Sequence, residues 1–191
     1  LMSKGLPRML DIARHWGVKT EICTNASFLD KGHQLEKVVP TLGKALVSFD
    51  GATKETFEWI REGADFEEVC ANVRILCNEA KKMPLAIRPV IGLACVLMRR
   101  NIEELPDLVD LACELGVDFL ATSHVHPATE LMKEQSLVHH VDLARRCIDA
   151  ALARARARGL RMMVGPLDQL IAATATSDAE RRTYATKDGV V

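Results

Sequence analysis

The sequence predicts an α/β protein built on a parallel sheet, and three observations predict it. Short apolar runs of strand length alternate with amphipathic segments of helical period. Glycine, proline and Asp-Gly punctuate the boundaries between them. The chain has 191 residues, 48% of them hydrophobic, enough for one domain with a sizeable core. That length is below the roughly 250 residues of a complete eight-stranded α/β barrel. Strands joined through amphipathic helices pair in parallel through right-handed crossovers.

Residues 5–16 carry Leu6, Met9, Leu10, Ala13 and Trp16 at helical spacing, and Gly17 stops this helix. Val18 to Cys23 reads as a strand, followed by a helix over 29–39 with Leu35, Val38 and Val39 on one side. Ala45 to Phe49 is the next strand, closed by the Asp50-Gly51 turn. Thr53 caps a short helix through Arg61. Asp65 and Glu68 make a capping box for a longer helix, whose buried stripe is Phe66, Val69, Cys70, Val73, Leu76, Cys77 and Ala80. A strand follows over 90–98, with Pro89 acceptable only at its start. Asn101 and Glu104 read as another capping box, before a helix with Ile102, Leu105, Leu108, Val109, Ala112 and Leu115 inward. Gly116 ends it, and Val117 to Ser123 is the fourth strand. A long helix over 137–158 and a strand over Leu160 to Val164 complete the pattern. From about Thr174 the sequence is polar and weakly periodic, and it reads as a flexible tail over 174–191 after a domain over 1–173. The first helix has no strand before it, which suggests a sheet lacking its first strands.

Composition excludes several classes. The formal charge is −1, so no basic surface for nucleic acid is expected. No apolar run reaches about 18 residues, so no membrane span is expected. Six cysteines, Cys23, Cys70, Cys77, Cys95, Cys113 and Cys147, form no CxxC pair. With no secretion signal in Leu1 to Lys4, a cytoplasmic location with free, buried thiols is the expectation.

In parallel α/β folds ligands sit beyond the C-terminal ends of the strands. The residues there are Thr24-Asn25, Ser48-Phe49-Asp50-Gly51, Arg99-Arg100-Asn101 and Ser123-His124-Val125-His126. Thr24-Asn25-Ala26 resembles the Thr-Asn-Gly that follows the third strand of radical S-adenosylmethionine (radical SAM) proteins. Ser48-Phe49-Asp50-Gly51-Ala52 resembles their Ser-Leu-Asp-Gly-Ala, and the stretch from Thr53 to Phe66 resembles their T-x-E-T-Y/F-x-x-I-R-x-G-A-x-F. Val96 to Pro106 resembles V-x-M-x-x-N-x-x-E-L-P. The match runs from about residue 5 to 126 and is nearest to the branch of molybdenum-cofactor biosynthesis A-type and SPASM-type maturases. Ala26 stands where the family has glycine.

The resemblance implies an incomplete (β/α) barrel of the radical SAM type, missing its first strands. It implies a parent enzyme that cleaves S-adenosylmethionine to a 5′-deoxyadenosyl radical for cofactor or peptide maturation. The family's [4Fe-4S] cluster sits on a CxxxCxxC loop, which this sequence lacks along with the Gly-Gly-Glu-Pro motif. This chain alone is therefore expected to be inactive and to bind S-adenosylmethionine weakly or not at all. The ribose and adenine side of the pocket is expected to remain, with Thr24, Asn25, Ser48 and Asp50 as cofactor-binding residues.

Arg99, His124 and His126 are the expected contacts to a peptide or cofactor-precursor substrate. The two histidines alternate on a strand and point the same way, with no acidic or cysteine partner at metal-ligand spacing. Arg154, Arg156, Arg158 and Arg161 read as a solvated basic run, and Met162-Met163 as core filling. Two alternatives stay open. One is a conventional barrel aldolase or isomerase acting on a phosphorylated substrate, for which Val164-Gly165-Pro166 is a poor phosphate loop. The other is a non-catalytic interaction domain, forming a homodimer through an exposed sheet edge.

Overall fold

A computed structural model of the chain describes residues 5–27, 38–125 and 129–165. It is an α/β fold whose five strands are β1 (Glu21–Thr24), β2 (Lys44–Ser48), β3 (Val90–Leu97), β4 (Phe119–His124) and β5 (Arg161–Val164). All adjacent pairs are parallel and lie in chain order β1-β2-β3-β4-β5. The sheet is open, with β1 and β5 each paired on one side among the described residues. The helices are α1 (Leu6–His15), α2 (Lys54–Ile60), α3 (Phe66–Lys81), α4 (Leu105–Leu115), α5 (Glu130–Gln135) and α6 (Val141–Arg158). The helix expected over 29–39 lies almost wholly outside the described residues, as do His126 and the tail from 174.

Local sequence explains most of these boundaries. Thr53 accepts from the Thr56 N–H at the start of α2, and Asp65 accepts from the Glu68 N–H at the start of α3. Gly17, Gly116 and Gly159 follow α1, α4 and α6 with positive φ, the left-handed conformation that lets a chain leave a helix. α5 is an element the periodicity did not announce: it is short, and none of its residues is buried.

The register sorts the sheet into two faces. One carries Ala45, Val47, Ile91, Leu93, Cys95, Leu97 and Leu120, packed under α3, α4 and α6 in one core. In α3, Val69, Cys70, Val73, Leu76, Cys77 and Ala80 form the expected buried stripe, while Phe66 is only partly buried. α6 buries Ala144, Ile148, Ala151 and Ala155, mostly small side chains that bring it close to α4. The other face is open and carries, in cross-strand rows, Cys23-Leu46-Gly92-Phe119-Arg161 and Ser48-Ala94-Ala121-Met163.

Two expectations need correction. In α1 only Leu10 of the described apolar side chains is buried, whereas Met9 and Trp16 are exposed, so the helical period is right but the stripe is uncovered among the described residues. Asn101 and Glu104 do not form a capping box. The Asn101 amide instead donates to the Asp50 and Val96 carbonyls, each at 2.9 Å, and its oxygen accepts from the Met98 N–H at 2.9 Å. The Glu104 carboxylate reaches across to the Ala52 N–H at 2.8 Å, the Thr53 N–H at 3.1 Å and the Thr53 and Thr56 hydroxyls. Distant backbone donors thus outcompeted the local ones. The arginine run is exposed, as expected, and carries surface pairings. Arg154 bridges Asp107 and Asp110 of α4, both at 2.9 Å, and the Arg161 guanidinium lies over the Phe119 ring.

Candidate functional site: the open sheet face and its rim

The open face has a floor and a shelf. Phe119 projects from β4 across Gly92 of β3, whose missing side chain leaves room for the ring. The ring is fully buried, with Lys44 at 5.3 Å and Arg161 at 5.1 Å from its centroid. A cation over an aromatic face gains about 0.5–1 kcal/mol at exposed sites. One row nearer the C-terminal ends, Ser48, Ala94 and Ala121 stand side by side on three strands. Their small size leaves the sheet surface accessible, and all three are half-buried. Among the described residues the Ser48 hydroxyl makes no hydrogen bond, and a hydroxyl can both donate and accept.

The other expected cofactor residues lie elsewhere on the rim. Asn25 and Asp50 line a cavity of about 390 Å³ together with Ser27 and the Arg61–Ala64 segment between α2 and α3. Ser48 and Thr24 are not among its walls. Asp50 is buried and engaged: its carboxylate accepts from the Val96 N–H at 2.7 Å and pairs with Arg61 at 2.6 Å. Thr24 falls in the row of Val47 and Leu93, on the helix-covered side, and its hydroxyl accepts from the Ala26 N–H at 3.1 Å. Ala26, at φ +59°, is held left-handed by that bond and by the buried Asn72 amide, which donates to its carbonyl at 2.8 Å. For a non-glycine residue that conformation costs roughly 1–2 kcal/mol.

The structure separates the expected substrate residues from Ser48. Arg99 is partly exposed at the rim, paired with Glu103 at 2.9 Å. His124 pairs in register with Leu97, on the helix-covered side. Both its ring nitrogens are buried without a hydrogen-bond partner among the described residues, and burial lowers its pKa. The unfolded chain takes up this proton near the ordinary histidine value, the folded chain only at lower pH. Stability contributed by neutral His124 is therefore lost as pH falls through the ordinary histidine range. Denaturation midpoints at about pH 8 and about pH 5.5 should show a smaller acid-side loss for His124→Phe than for the parent chain.

The thiols do not make a cluster site. Among the described residues no group of three or more His, Cys, Asp or Glu side chains could hold a metal ion. Cys70, Cys77 and Cys95 are buried, and burial pushes the first two up to about 11 and about 12 and the third well above its ordinary value. Cys23, on edge strand β1, is exposed, contrary to the expectation of six buried thiols. Because the thiolate is the reactive form, iodoacetamide should label Cys23 in the native chain and spare Cys70, Cys77 and Cys95. Peptide mass spectrometry reads this directly, and early labelling of Cys95 would contradict the packing described here.

No protein-family model and no curated protein matches this sequence. Solved structures do. SuiB from Streptococcus suis bound to S-adenosylmethionine superposes with a TM-score of 0.66 at 14% identity, covering 94% of this chain and 40% of that one. The same protein bound to the precursor peptide SuiA gives 0.63 at 15% identity with the same coverage. A domain of pyruvate-formate lyase-activating enzyme from Bacteroides vulgatus gives 0.57 at 14% identity, over 84% of this chain and 89% of that domain. The chain thus spans 40% of the length of the SuiB chains it matches. At these identities the likeness is one of fold. No described helix is long and apolar enough to cross a membrane. In fold, the described residues are α/β, a five-stranded parallel sheet forming an unclosed partial (β/α) barrel, a fold they share with the SuiB and activating-enzyme structures.

Proposed function

We propose that this chain supplies the adenosyl-binding face of a radical SAM enzyme of cofactor or peptide maturation. The observation that carries this reading is the Ser48 hydroxyl, without a hydrogen bond among the described residues, on the open face beside Ala94 and Ala121 and above the Phe119 floor. A flat, polar nucleoside suits such a surface: small side chains admit the base, and a fixed hydroxyl at the strand end reaches a ribose oxygen. The motif resemblance around Thr24-Asn25 and Ser48 to Ala52 supports it, as does the fold shared with S-adenosylmethionine-bound SuiB. S-adenosylmethionine, were it bound beside a reduced cluster held elsewhere, would supply radical chemistry at a substrate C–H bond. The described residues do not fit the cluster, so this chain's part is to bind and orient the nucleoside. Arg99, with His126 beyond the described residues, is the proposed substrate contact, a role that His124 fits less well because its ring nitrogens are buried on the helix-covered side; the edges of β1 and β5 left unpaired among the described residues are the proposed sites of self-association.

An aldolase or isomerase reading is weaker, because the Gly165 N–H that a phosphate loop would offer is spent on the Thr122 carbonyl at 2.9 Å.

The test is a titration of the chain with 5′-deoxyadenosine followed by backbone NMR. Binding should be weak, with a Kd of order 1 mM, and should shift the amides of Ser48, Ala94 and Ala121. Ser48→Ala should weaken it about fivefold, the worth of one hydrogen bond of about 1 kcal/mol. Shifts confined to the Asn25–Asp50 cavity, or an undiminished affinity in Ser48→Ala, would remove the basis of the reading.

A further inference from the structure

The segment that follows Ser48 is tied down by side chains that come from far along the chain. The Phe49 N–H donates to the Ala94 carbonyl at 2.7 Å. The Asp50 carbonyl accepts from Asn101, and its carboxylate joins Val96 to Arg61. The Ala52 and Thr53 N–H groups both end on Glu104. Four of the five residues from 49 to 53 are thereby fixed to β3, to the loop after it or to the end of α2. This is not an exposed Asp-Gly turn closed by local hydrogen bonds: Phe49, Asp50 and Gly51 are buried, and their segment takes its partners from distant residues. The sheet is open on both sides, so closure of a barrel does not hold this rim among the described residues. The same loop after β3 is itself anchored, with the Arg99 and Arg100 N–H groups donating to the Gln135 carbonyl and side-chain oxygen at the end of α5.

We infer that Asn101 and Glu104, with Arg61 acting through Asp50, are positioning residues that preform the ligand-binding end of β2. Their effect on affinity rests on the nucleoside reading above; their effect on the rim does not. Holding a binding group in its bound geometry before the ligand arrives removes the ordering cost from the binding step.

Glu104 is the best residue to test, because it is only partly buried. Glu104→Ala removes both acceptor oxygens, and Glu104→Gln keeps the size and one of them. Two readouts apply to the whole chain, well below each variant's melting temperature: amide hydrogen exchange, and 5′-deoxyadenosine affinity by NMR titration. The Glu104 carboxylate is hydrogen-bonded to Ala52, Thr53 and Thr56 and not to Phe49, yet the Phe49 amide should exchange about tenfold faster in Glu104→Ala, while Val47 and Leu93 in the strands keep their rates. Affinity should fall about fivefold in Glu104→Ala and recover in part in Glu104→Gln. A uniform acceleration of Phe49, Val47 and Leu93 would mean that Glu104 only stabilises the fold, and would overturn the inference. Unchanged Phe49 exchange, or unchanged affinity in a chain that binds the nucleoside, would do the same. If Phe49 responds but the parent chain binds no 5′-deoxyadenosine, the nucleoside reading fails and the positioning role stands.

Discussion

Replacing Asp50 with alanine is expected to destabilise the chain by about 3 kcal/mol, near the low end of what breaking a buried ion pair costs. The Asp50 side chain is 5% exposed and that of Arg61 24%. Removing the carboxylate strands a guanidinium that sat 2.6 Å from it, and leaves the Val96 N–H without its acceptor at 2.7 Å. The partial exposure of Arg61 lets water recover some of the loss, which is why the low end applies. Asp50→Asn keeps an acceptor for Val96 and should cost roughly 1–2 kcal/mol less. Urea denaturation should show a lower midpoint with an unchanged slope in both variants. If Asp50→Ala melts with the parent chain, the pair does not hold the rim.

Gly92→Ala should cost about 1–3 kcal/mol, the usual range for overpacking. A Cβ at this position would lie 2.2, 2.4 and 2.5 Å from three atoms of the Phe119 ring. The ring cannot yield cheaply, because it is fully buried between Lys44 and Arg161. Alanine also restricts the unfolded chain, an offset of roughly 0.4–1 kcal/mol that reduces the net loss. Phe119→Leu provides the discriminating background. If the clash is the cause, Gly92→Ala should be cheaper there, and a double-mutant cycle should return a coupling of at least about 0.5 kcal/mol. Equal costs in both backgrounds would mean that Gly92 matters for its backbone and not for the ring above it.

Much of the fold was legible in the sequence because its signals are local. The caps of α2 and α3 need only Thr53 and Asp65 and the amides three residues on. The exits from α1 and α4 need only a glycine that tolerates positive φ at 17 and 116. The stripe of α3 follows from a period of 3.6, and parallel pairing from alternation with helices. α5 escaped because six polar-rich residues without a buried face leave no periodicity to read.

The rim was less legible. Asn101 and Glu104 have the spacing of a capping box, and locally nothing forbids one. The decision fell to Asp50, Ala52 and Thr53, some 50 residues earlier, whose backbone groups would otherwise lie unpaired beneath the loop. The sequence marked Thr24, Asn25, Ser48 and Asp50 as one group by their positions after strands. Register then set Ser48 on the open face and Thr24 on the covered one, since neighbouring residues of a strand point to opposite sides. The sequence by itself determined which described segments other than α5 are helix and strand, that the strands run parallel, and which polar residues reach the rim, because those depend on period, caps and turns. Tertiary structure alone decided that Phe119 fills the space left by Gly92, that Asp50 is spent on Arg61 and Val96, and that Ser48 faces the open side with no hydrogen bond among the described residues. Each of those outcomes depends on which residue lies opposite on another strand or helix, and no spacing within one segment encodes that.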